Sequence, residues 1–257
     1  MKAIGVIPAR FGSTRFPGKP LALVRGKPLL QWAIEGAKAS RSLNDLIVAT
    51  DDERIAGLAR ACGVEAVLTD PALPTGTDRM RAALRSWNEK EYDVAVNIQG
   101  DEPLLEGRWL DALLAPFVGN PEIEMATLGR PLTVDALVSD QTAKIVVNAR
   151  GEAIYFSRFP IPYSRIDAAG DLGLTKALKH VGLYAYQTSF LHRFCEAGPC
   201  GLEEGEGLEQ LRALYLGARI KVVVIDGESW GVDTPADVLK IETIMDGRAS
   251  VGEQESF

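Results

Sequence analysis

Residues 46–68 read LIVATDDERIAGLARACGVEAVL, and this stretch decides the fold class. Its apolar start, Leu46–Ala49, is a predicted buried strand, and Glu65–Leu68 is a second predicted strand. The apolar side chains between them recur at the spacing of a helix, at Ile55, Leu58, Ala59 and Cys62. The stretch is therefore predicted to fold as strand, helix and strand.

The same alternation continues on both sides. Residues 3–7 form a predicted strand, and Pro28 to Lys38 form a predicted helix with proline near its first turn. Further along, Thr77–Trp87 is a predicted helix and Asp93–Ile98 a predicted strand. Strands that alternate with helices of this length indicate the α/β class, with a mainly parallel, twisted sheet covered by helices on both faces.

The second half of the chain is less regular, and we interpret residues 1–257 as one domain with an elaborated second half. The stretch from about 150 to 178 contains several glycines and prolines, and we interpret it as an excursion from the core, either a lid or a dimer arm. The other predicted elements are strands at Lys144–Asn148, Val181–Tyr186 and Lys221–Ile225 and helices at Leu208–Leu216 and Ala236–Met245.

Composition argues against several classes of protein. The chain is 46% hydrophobic and 25% charged, which is typical of a soluble globular protein, and no apolar run approaches the ~20 residues that span a bilayer. A net charge of −7 disfavours nucleic acid or a membrane as the main partner. The cysteines, Cys62, Cys195 and Cys200, form no CxxC pair and are predicted to be free thiols. The expected location is the cytoplasm.

The loop after the first strand, PARFGSTRFPGKP at 8–20, combines cations, hydroxyls and glycines. Its cations are Arg10, Arg15 and Lys19, and its hydroxyls belong to Ser13 and Thr14. Such groups together can cradle a phosphate, and the carboxyl end of a strand is where open α/β sheets bind ligands. The loop matches neither the Walker nor the GxGxxG pattern. The alternative is a solvated connection whose charges serve solubility.

Two further segments place carboxylates after strands. NIQGDEP at 97–103 ends a predicted strand with Asp101 and Glu102, and Mg²⁺ commonly takes one or two protein carboxylates. Asp101 is the predicted ligand, and an ordinary turn is the alternative. In GVDTP at 231–235, either Asp233 or Thr234 is a candidate N-cap for the last helix, and one can cap while the other points into the crevice.

Residues 179–186 read KHVGLYAY and alternate like a strand, so that His180, Tyr184 and Tyr186 share one face. A polar, aromatic face of this kind suits a pocket for a sugar acid. It suits the outer face of a sheet equally well.

Together these segments resemble the 3-deoxy-manno-octulosonate (Kdo) cytidylyltransferases, or CMP-Kdo synthetases, from Ile4 to about Asp237. Each motif is weak alone, but their order along the chain is specific. The motifs are IPARFGSTRFPGKPL (7–21), ATDD (49–52), TGTDR (75–79), NIQGDEPL (97–104), YFSR (155–158), HVGLYAY (180–186), LEQLR (208–212) and GVDTP (231–235).

The resemblance implies the nucleotide-diphospho-sugar transferase fold, of Rossmann-like type, and a homodimer that converts CTP and Kdo to CMP-Kdo and pyrophosphate for lipopolysaccharide biosynthesis. It further implies a Mg²⁺ cofactor bound by Asp101 and Asp233, with Arg10, Lys19 and Asp101 as catalytic residues. The implied CTP-binding residues are Arg10, Ser13, Arg15, Lys19, Thr75, Gly76, Arg79 and Gln99. The implied sugar-binding residues are Arg158, His180, Tyr184, Glu209 and Gln210.

Some positions depart from the family pattern. Thr75 stands where Ser is common and Gln187 where Arg is common, while Gly205 and Gly207 precede LEQLR, where each costs a helix about 1 kcal/mol. We expect the glycines to delay the helix start or to loosen the sugar pocket. The departures leave open transfer to an amino-substituted Kdo or another nonulosonic-type acid. A catalytically inactive nucleotide-binding regulator is the alternative from another class, and the presence of Arg10, Lys19, Asp101 and Asp233 argues against it.

Overall fold

A computed structural model describes residues 1–13, 15–163, 177–227 and 229–252. The strands are β1 (Ala3–Ala9), β2 (Leu23–Val24), β3 (Lys27–Pro28), β4 (Asp45–Thr50), β5 (Glu65–Leu68), β6 (Val94–Asn97), β7 (Met125–Pro131), β8 (Lys144–Val147), β9 (Ala153–Ser157), β10 (Leu178–Gln187) and β11 (Ile220–Val224). The α-helices are α1 (Leu29–Lys38), α2 (Glu53–Ala61), α3 (Gly76–Trp87), α4 (Gly107–Leu114), α5 (Val134–Val138), α6 (Thr188–Ala197), α7 (Gly201–Glu206), α8 (Gln210–Tyr215) and α9 (Pro235–Gly252).

The central sheet has the strand order β11-β7-β10-β6-β1-β4-β5. Every neighbouring pair on this path is parallel except the two that involve β10, which runs antiparallel to β6 and to β7. The carboxyl ends of β1, β4 and β6 therefore meet at one edge. The prediction of a mainly parallel α/β sheet is confirmed.

Helices cover both faces of the sheet, as the alternating sequence predicts. One core packs α1, α2 and α4 against one face through side chains such as Ile34, Ile55 and Trp109. The other core packs α3, α6 and α8 against the opposite face through side chains such as Met80 and Phe190. Because both faces are covered, a central strand such as β1 is buried along nearly its whole length.

The antiparallel strand β10 carries an irregularity that is filled by one side chain. Between Val181 and Tyr184 its register against β7 shifts. The Thr127 hydroxyl of β7 lies in this shift, 2.9 Å from the carbonyl oxygen of Leu183 and 3.3 Å from that of Val181. His180 and Tyr184 still lie on the same side of the strand, with ring centroids 5.4 Å apart. The prediction that they share a face is confirmed.

A small third cluster joins the two ends of the chain beside the carboxyl edge of the sheet. α9 contributes Ile241 and Met245, which pack with Val24 and Leu29 from the N-terminal part and with Val232. The Val232 N–H also donates to the carbonyl oxygen of Asp101 at 3.0 Å. The loop before α9 is thus attached to the loop after β6.

Residues 164–176 of the excursion at 150–178 lie outside the described residues, so its interpretation as a lid or a dimer arm stays a prediction. The interpretation of the chain as one domain also stays a prediction. Its described part includes β9, which pairs with β8. None of the described helices has both the length and the apolar character needed to cross a bilayer.

The two glycines before LEQLR do not have the same role. Gly207 ends α7 in the left-handed region, at φ 62°, and α8 begins only at Gln210, so the expected delay of the helix start is confirmed. Gly205 lies inside α7, where a Cβ would meet no atom within 4 Å.

We expect opposite effects from the same substitution at these two glycines. Gly207→Ala should lower the free energy of unfolding by about 1–2 kcal/mol, because an L-residue is strained in the left-handed region. Gly205→Ala should raise it by up to about 1 kcal/mol, because alanine is the better helix former. Urea denaturation of both variants is the measurement. A stabilised Gly207→Ala variant would contradict the assignment of Gly207 as the helix end.

Candidate active site

A cleft of about 430 Å³ opens at the carboxyl edge of β1, β4 and β6. The structure brings into its lining every residue that the sequence assigned to CTP or metal binding: Arg10, Ser13, Arg15, Lys19, Thr75, Gly76, Arg79, Gln99, Asp101 and Asp233. The residues come from the loop after β1, the start of α3, the loop after β6 and the loop before α9. Their convergence is a property of the fold, whereas their individual roles stay predictions.

The cations of the cleft differ in what they contact. The Arg10 side chain is exposed and forms no hydrogen bond or ion pair with any residue that the structure describes. The Lys19 ammonium contacts the Asp101 carboxylate and lies 3.4 Å from the Asp233 carboxylate. Arg15 donates to Asp233 at 3.0 Å. One basic group is thus open to an incoming anion, and two lie beside the acidic pair.

The conformation of the loop after β1 is fixed by contacts with residues outside the loop and by a hydrogen bond within it. The Asp51 carboxylate accepts a hydrogen bond from the backbone N–H of Phe11 at 3.1 Å. It also forms an ion pair with Arg79 at 3.2 Å. Arg79, only 2% exposed, also donates to the Thr69 hydroxyl at 2.6 Å. Gly18 has φ 71°, and its N–H donates to the Phe11 carbonyl. Thr14 lies outside the described residues.

The Arg79 contacts give this residue a more specific position than the sequence suggested. Its guanidinium lines the cleft but is occupied by Asp51 and Thr69, so it supports the phosphate-cradle loop through Asp51. Asp51, in the motif ATDD (49–52), was assigned no role from the sequence. The available signal was its place just after the predicted strand Leu46–Ala49.

The N-terminus of α3 forms one wall of the cleft. Thr75 caps the helix, and its hydroxyl accepts a hydrogen bond from the N–H of Asp78 at 3.1 Å. Serine is an equally good cap, so the change from Ser to Thr at this position is conservative. The free N–H groups of a first helical turn attract electronegative groups, which suits the predicted contact of Thr75 and Gly76 with a nucleotide.

The acidic pair consists of Asp101 and Asp233, and two nearby carboxylates, those of Glu102 and Asp237, lie outside the cleft lining. Glu102 is buried, and burial together with the nearby Asp101 charge raises its pKa to about 7. Asp237 accepts the N–H groups of Asp233 and Thr234, at 3.0 and 2.8 Å, at the start of α9. Thr234 therefore belongs to the helix cap while Asp233 faces the cleft, which is one of the arrangements expected from the sequence.

These residues fit a bound Mg²⁺. Both candidate ligands are carboxylates, the donors that this ion prefers, and it commonly takes only one or two of them together with water and phosphate oxygens. Within the described residues no group of three or more His, Cys, Asp or Glu forms a metal site. Asp101 and Asp233 share the Lys19 ammonium as a neighbour, which places both near one cationic position.

The residues assigned to the sugar lie beside the cleft lining, not within it. Tyr184 donates to the side-chain oxygen of Gln210 at 3.0 Å, and Glu209 accepts from Thr77 at 3.1 Å, with the Thr75 hydroxyl 3.3 Å away. The Arg158 guanidinium donates to backbone carbonyls of Glu206 at 2.9 Å and Asp140 at 3.1 Å. Its contact with a sugar acid stays a prediction.

Gln187 lies at the other end of β10, paired with Val94 at the start of β6. Its amide donates to the carbonyl oxygens of Pro121 and Ile123 at 2.8 and 2.9 Å. The change from the usual Arg therefore falls at the start of β6 and outside the cleft lining.

His180 is held as a neutral ring. Its Nε2 is hydrogen-bonded to the Thr127 hydroxyl at 3.0 Å, and the tautomer of the ring sets which of the two donates. Burial lowers the pKa of His180 to about 3, so the ring is neutral at neutral pH.

We expect the His180 ring to stay neutral down to about pH 4 in an NMR titration. In the window from its ordinary pKa of 6.5 down to about 3, the unfolded chain binds a proton there that the folded chain does not. Stability is therefore lost as the pH falls through this window. His180→Gln, which keeps a hydrogen-bonding group for Thr127, should flatten that part of the stability profile. A ring that titrates near pH 6.5 in the folded protein would contradict this prediction.

Comparison with known proteins agrees with the fold and the cleft. The family described as Cytidylyltransferase matches residues 4–220. A 3-deoxy-manno-octulosonate cytidylyltransferase of Bdellovibrio bacteriovorus is 54% identical over 95% of this chain and 98% of its own length. One from Anaeromyxobacter sp. (strain K) is 45% identical, over 93% and 96%.

Among solved structures, a CMP:2-keto-3-deoxy-manno-octonic acid synthetase complexed with CTP superposes with a TM-score of 0.89. It is 37% identical, with coverage of 96% of this chain and 100% of the other. The fold and the cleft, with these matches, define a cytidylyltransferase. The chain belongs to the 3-deoxy-manno-octulosonate cytidylyltransferase family, as its motifs predict.

Proposed function

We propose that the protein transfers CMP from CTP to the 2-hydroxyl of Kdo, giving CMP-Kdo and pyrophosphate. The observation that carries this proposal is the cleft in which the basic loop after β1 and the pair Asp101 and Asp233 face one another. The named relatives and the CTP complex of a similar structure support the choice of nucleotide and sugar.

The reaction joins two anions. The sugar hydroxyl oxygen forms a bond to the α-phosphorus, the bond from that phosphorus to the bridging oxygen of pyrophosphate breaks, and the hydroxyl proton is lost. Arg10 and Lys19 would hold the triphosphate and stabilise the charge that develops on the leaving group. Asp101 and Asp233 would hold Mg²⁺, whose charge would offset the repulsion and activate the attacking oxygen. Ser13 and Arg15 lie nearby and would complete the phosphate contacts.

The pocket for cytosine would be formed by the backbone of Thr75 and Gly76 with Gln99. The sugar acid would contact His180, Tyr184, Glu209, Gln210 and Arg158. Gln210 supports this proposal because its buried Nε2 has no hydrogen-bond partner among the described residues. An unpaired donor costs about 1–3 kcal/mol, which a substrate oxygen would offset.

The test is release of pyrophosphate by purified protein with CTP, Kdo and Mg²⁺. Turnover that requires all three supports the proposal, and no release beside an active control enzyme rejects it. Competition between Kdo, an amino-substituted Kdo and another nonulosonic-type acid at one CTP concentration decides the sugar. CTP binding without turnover of any sugar acid would instead indicate an inactive regulator.

We infer further that the protein works in the cytoplasm, as a homodimer, in lipopolysaccharide biosynthesis. A partner surface is supported by Phe159 and Tyr163, which follow β9 and are 76% and 89% exposed. Light scattering that gives the mass of one chain would reject the homodimer.

A further inference from the structure

Thr77, the second residue of α3, lies between the cleft and the residues assigned to the sugar. It is 1% exposed, although its hydroxyl is polar. That hydroxyl has polar partners on two other parts of the chain. It is 3.1 Å from the Glu209 carboxylate and 3.2 Å from the Asn97 amide nitrogen.

The direction of these hydrogen bonds follows from their chemistry. A threonine hydroxyl has one hydrogen to donate and can accept two. The Asn97 nitrogen is only a donor, so it donates to Thr77, and the carboxylate oxygens of Glu209 are acceptors. The one hydrogen of Thr77 therefore goes to Glu209, while the hydroxyl oxygen accepts from Asn97.

A second hydroxyl from the same helical turn lies near Glu209. The Thr75 hydroxyl, which lines the cleft, is 3.3 Å from the other carboxylate oxygen, but its single hydrogen has the Asp78 carboxylate as a closer acceptor at 2.8 Å, so Thr77 is the donor to Glu209. The next residue, Gln210, accepts from the Tyr184 hydroxyl. Burial raises the pKa of Glu209, and the hydrogen bond from Thr77 opposes that rise. The start of α3 thus both walls the nucleotide cleft and sets the direction of the Glu209 carboxylate.

We propose that Thr77 is a positioning residue that fixes the Glu209 carboxylate for the sugar acid. This inference rests on the proposed function, because it takes Glu209 as a sugar contact. Thr77 itself is absent from the cleft lining, so it acts through Glu209 and not on the nucleotide. Valine at this position would keep the volume but remove the hydrogen bond that Glu209 accepts from Thr77 and the acceptor of the Asn97 amide. The Asn97 side-chain oxygen already has no partner among the described residues, so the cluster has little capacity to rearrange.

The experiment compares Thr77→Val with Thr77→Ser, which retains the hydroxyl. We expect Thr77→Val to raise the KM for the sugar acid at least tenfold, while the KM for CTP changes less than twofold. Thr77→Ser should restore the sugar KM to within threefold of the parent. A general loosening of the fold would raise both KM values together and would not be rescued in this way.

The outcomes separate this inference from the proposed function. If the parent protein turns over no sugar acid, the proposed function fails. If the parent is active and Thr77→Val has an unchanged sugar KM, or raises both KM values equally, the positioning role is overturned. Should Thr77→Val not fold, Thr77→Cys decides, because a thiol is a weak donor. A sugar KM raised at least threefold at constant CTP KM then supports the role, and an unchanged one overturns it.

Discussion

Asp101→Asn and Asp233→Asn are each expected to lower the rate of pyrophosphate release at least a hundredfold. Each substitution keeps the size of the side chain and removes one negative charge from the pair beside Lys19. Loss of one contact that stabilises a developing charge typically costs about 2.7–4 kcal/mol, which corresponds to 10²–10³ in rate. Steady-state rates at saturating CTP, measured over a range of Mg²⁺ concentrations, are the measurement.

The matched control is Asp226→Asn. Asp226 lies just after β11, on the same connection to α9 as Asp233, but it pairs with Arg108 outside the cleft at 2.9 Å. Its replacement should leave the rate within about twofold, because exposed ion pairs contribute little. Near-normal turnover of Asp101→Asn or Asp233→Asn would remove that residue from the proposed metal site.

Arg79→Met is expected to lower the free energy of unfolding by about 3–5 kcal/mol, the cost of leaving one partner of a buried ion pair alone. The side chains of Arg79 and Asp51 are 2% and 10% exposed, so water cannot replace the lost guanidinium. Asp51 also holds the Phe11 N–H in the loop after β1, so the substitution should weaken CTP binding as well. Chemical denaturation and CTP titration of the same samples measure both effects.

Two further variants test the cause. Arg79→Met combined with Asp51→Asn should recover part of the lost stability, since neither charge is then left unpaired and the asparagine oxygen still accepts from Phe11. Arg60→Met is the surface control, because Arg60 and Glu53 are 50% and 69% exposed, and it should change stability by less than about 0.5 kcal/mol. Equal losses of unfolding free energy in Arg79→Met and Arg60→Met would show that the buried ion pair contributes no more to stability than the exposed one.

The elements with strong apolar periodicity could be predicted from the sequence. β4, α2 and β5 follow the pattern of residues 46–68 because each is long enough to show its period. β7 was missed, although it lies inside the sheet. Its sequence contains Gly129, which lowers the strand signal, yet a Cβ there would come within 3.1 Å of Leu178 and Val222. The close approach of neighbouring strands that requires this glycine is not visible in a local pattern.

The reversed direction of β10 was also beyond local reasoning. Its alternation predicts a strand but says nothing about its neighbours, and β6 and β7 flank it only in the folded sheet. The helices α4 and α6, which lie on opposite faces of the sheet, were not predicted either. No helix was assigned to these two segments from the sequence.

In the candidate site, too, some features follow from the sequence and others depend on tertiary contacts. The residues that converge on the cleft could be predicted because parallel strands end at one edge, so Arg10 and Asp101 had to approach each other. The sequence could not show that Arg79 would form an ion pair with Asp51. Nor could it show that Asp237 would accept from Thr234 at the helix start while Asp233 faces the cleft. These outcomes depend on distances between side chains from different elements.

The attachment of the loop before α9 to the loop after β6 has a consequence for biosynthesis. The nascent chain can form β1, β4, β5 and β6, with most of the basic loop's surroundings, while residue 233 is still untranslated. The second carboxylate joins the first only when Val232 reaches the Asp101 carbonyl and α9 packs beneath it. Completion of the acidic pair therefore requires the loop before α9, and with it nearly the whole chain, to have been synthesised.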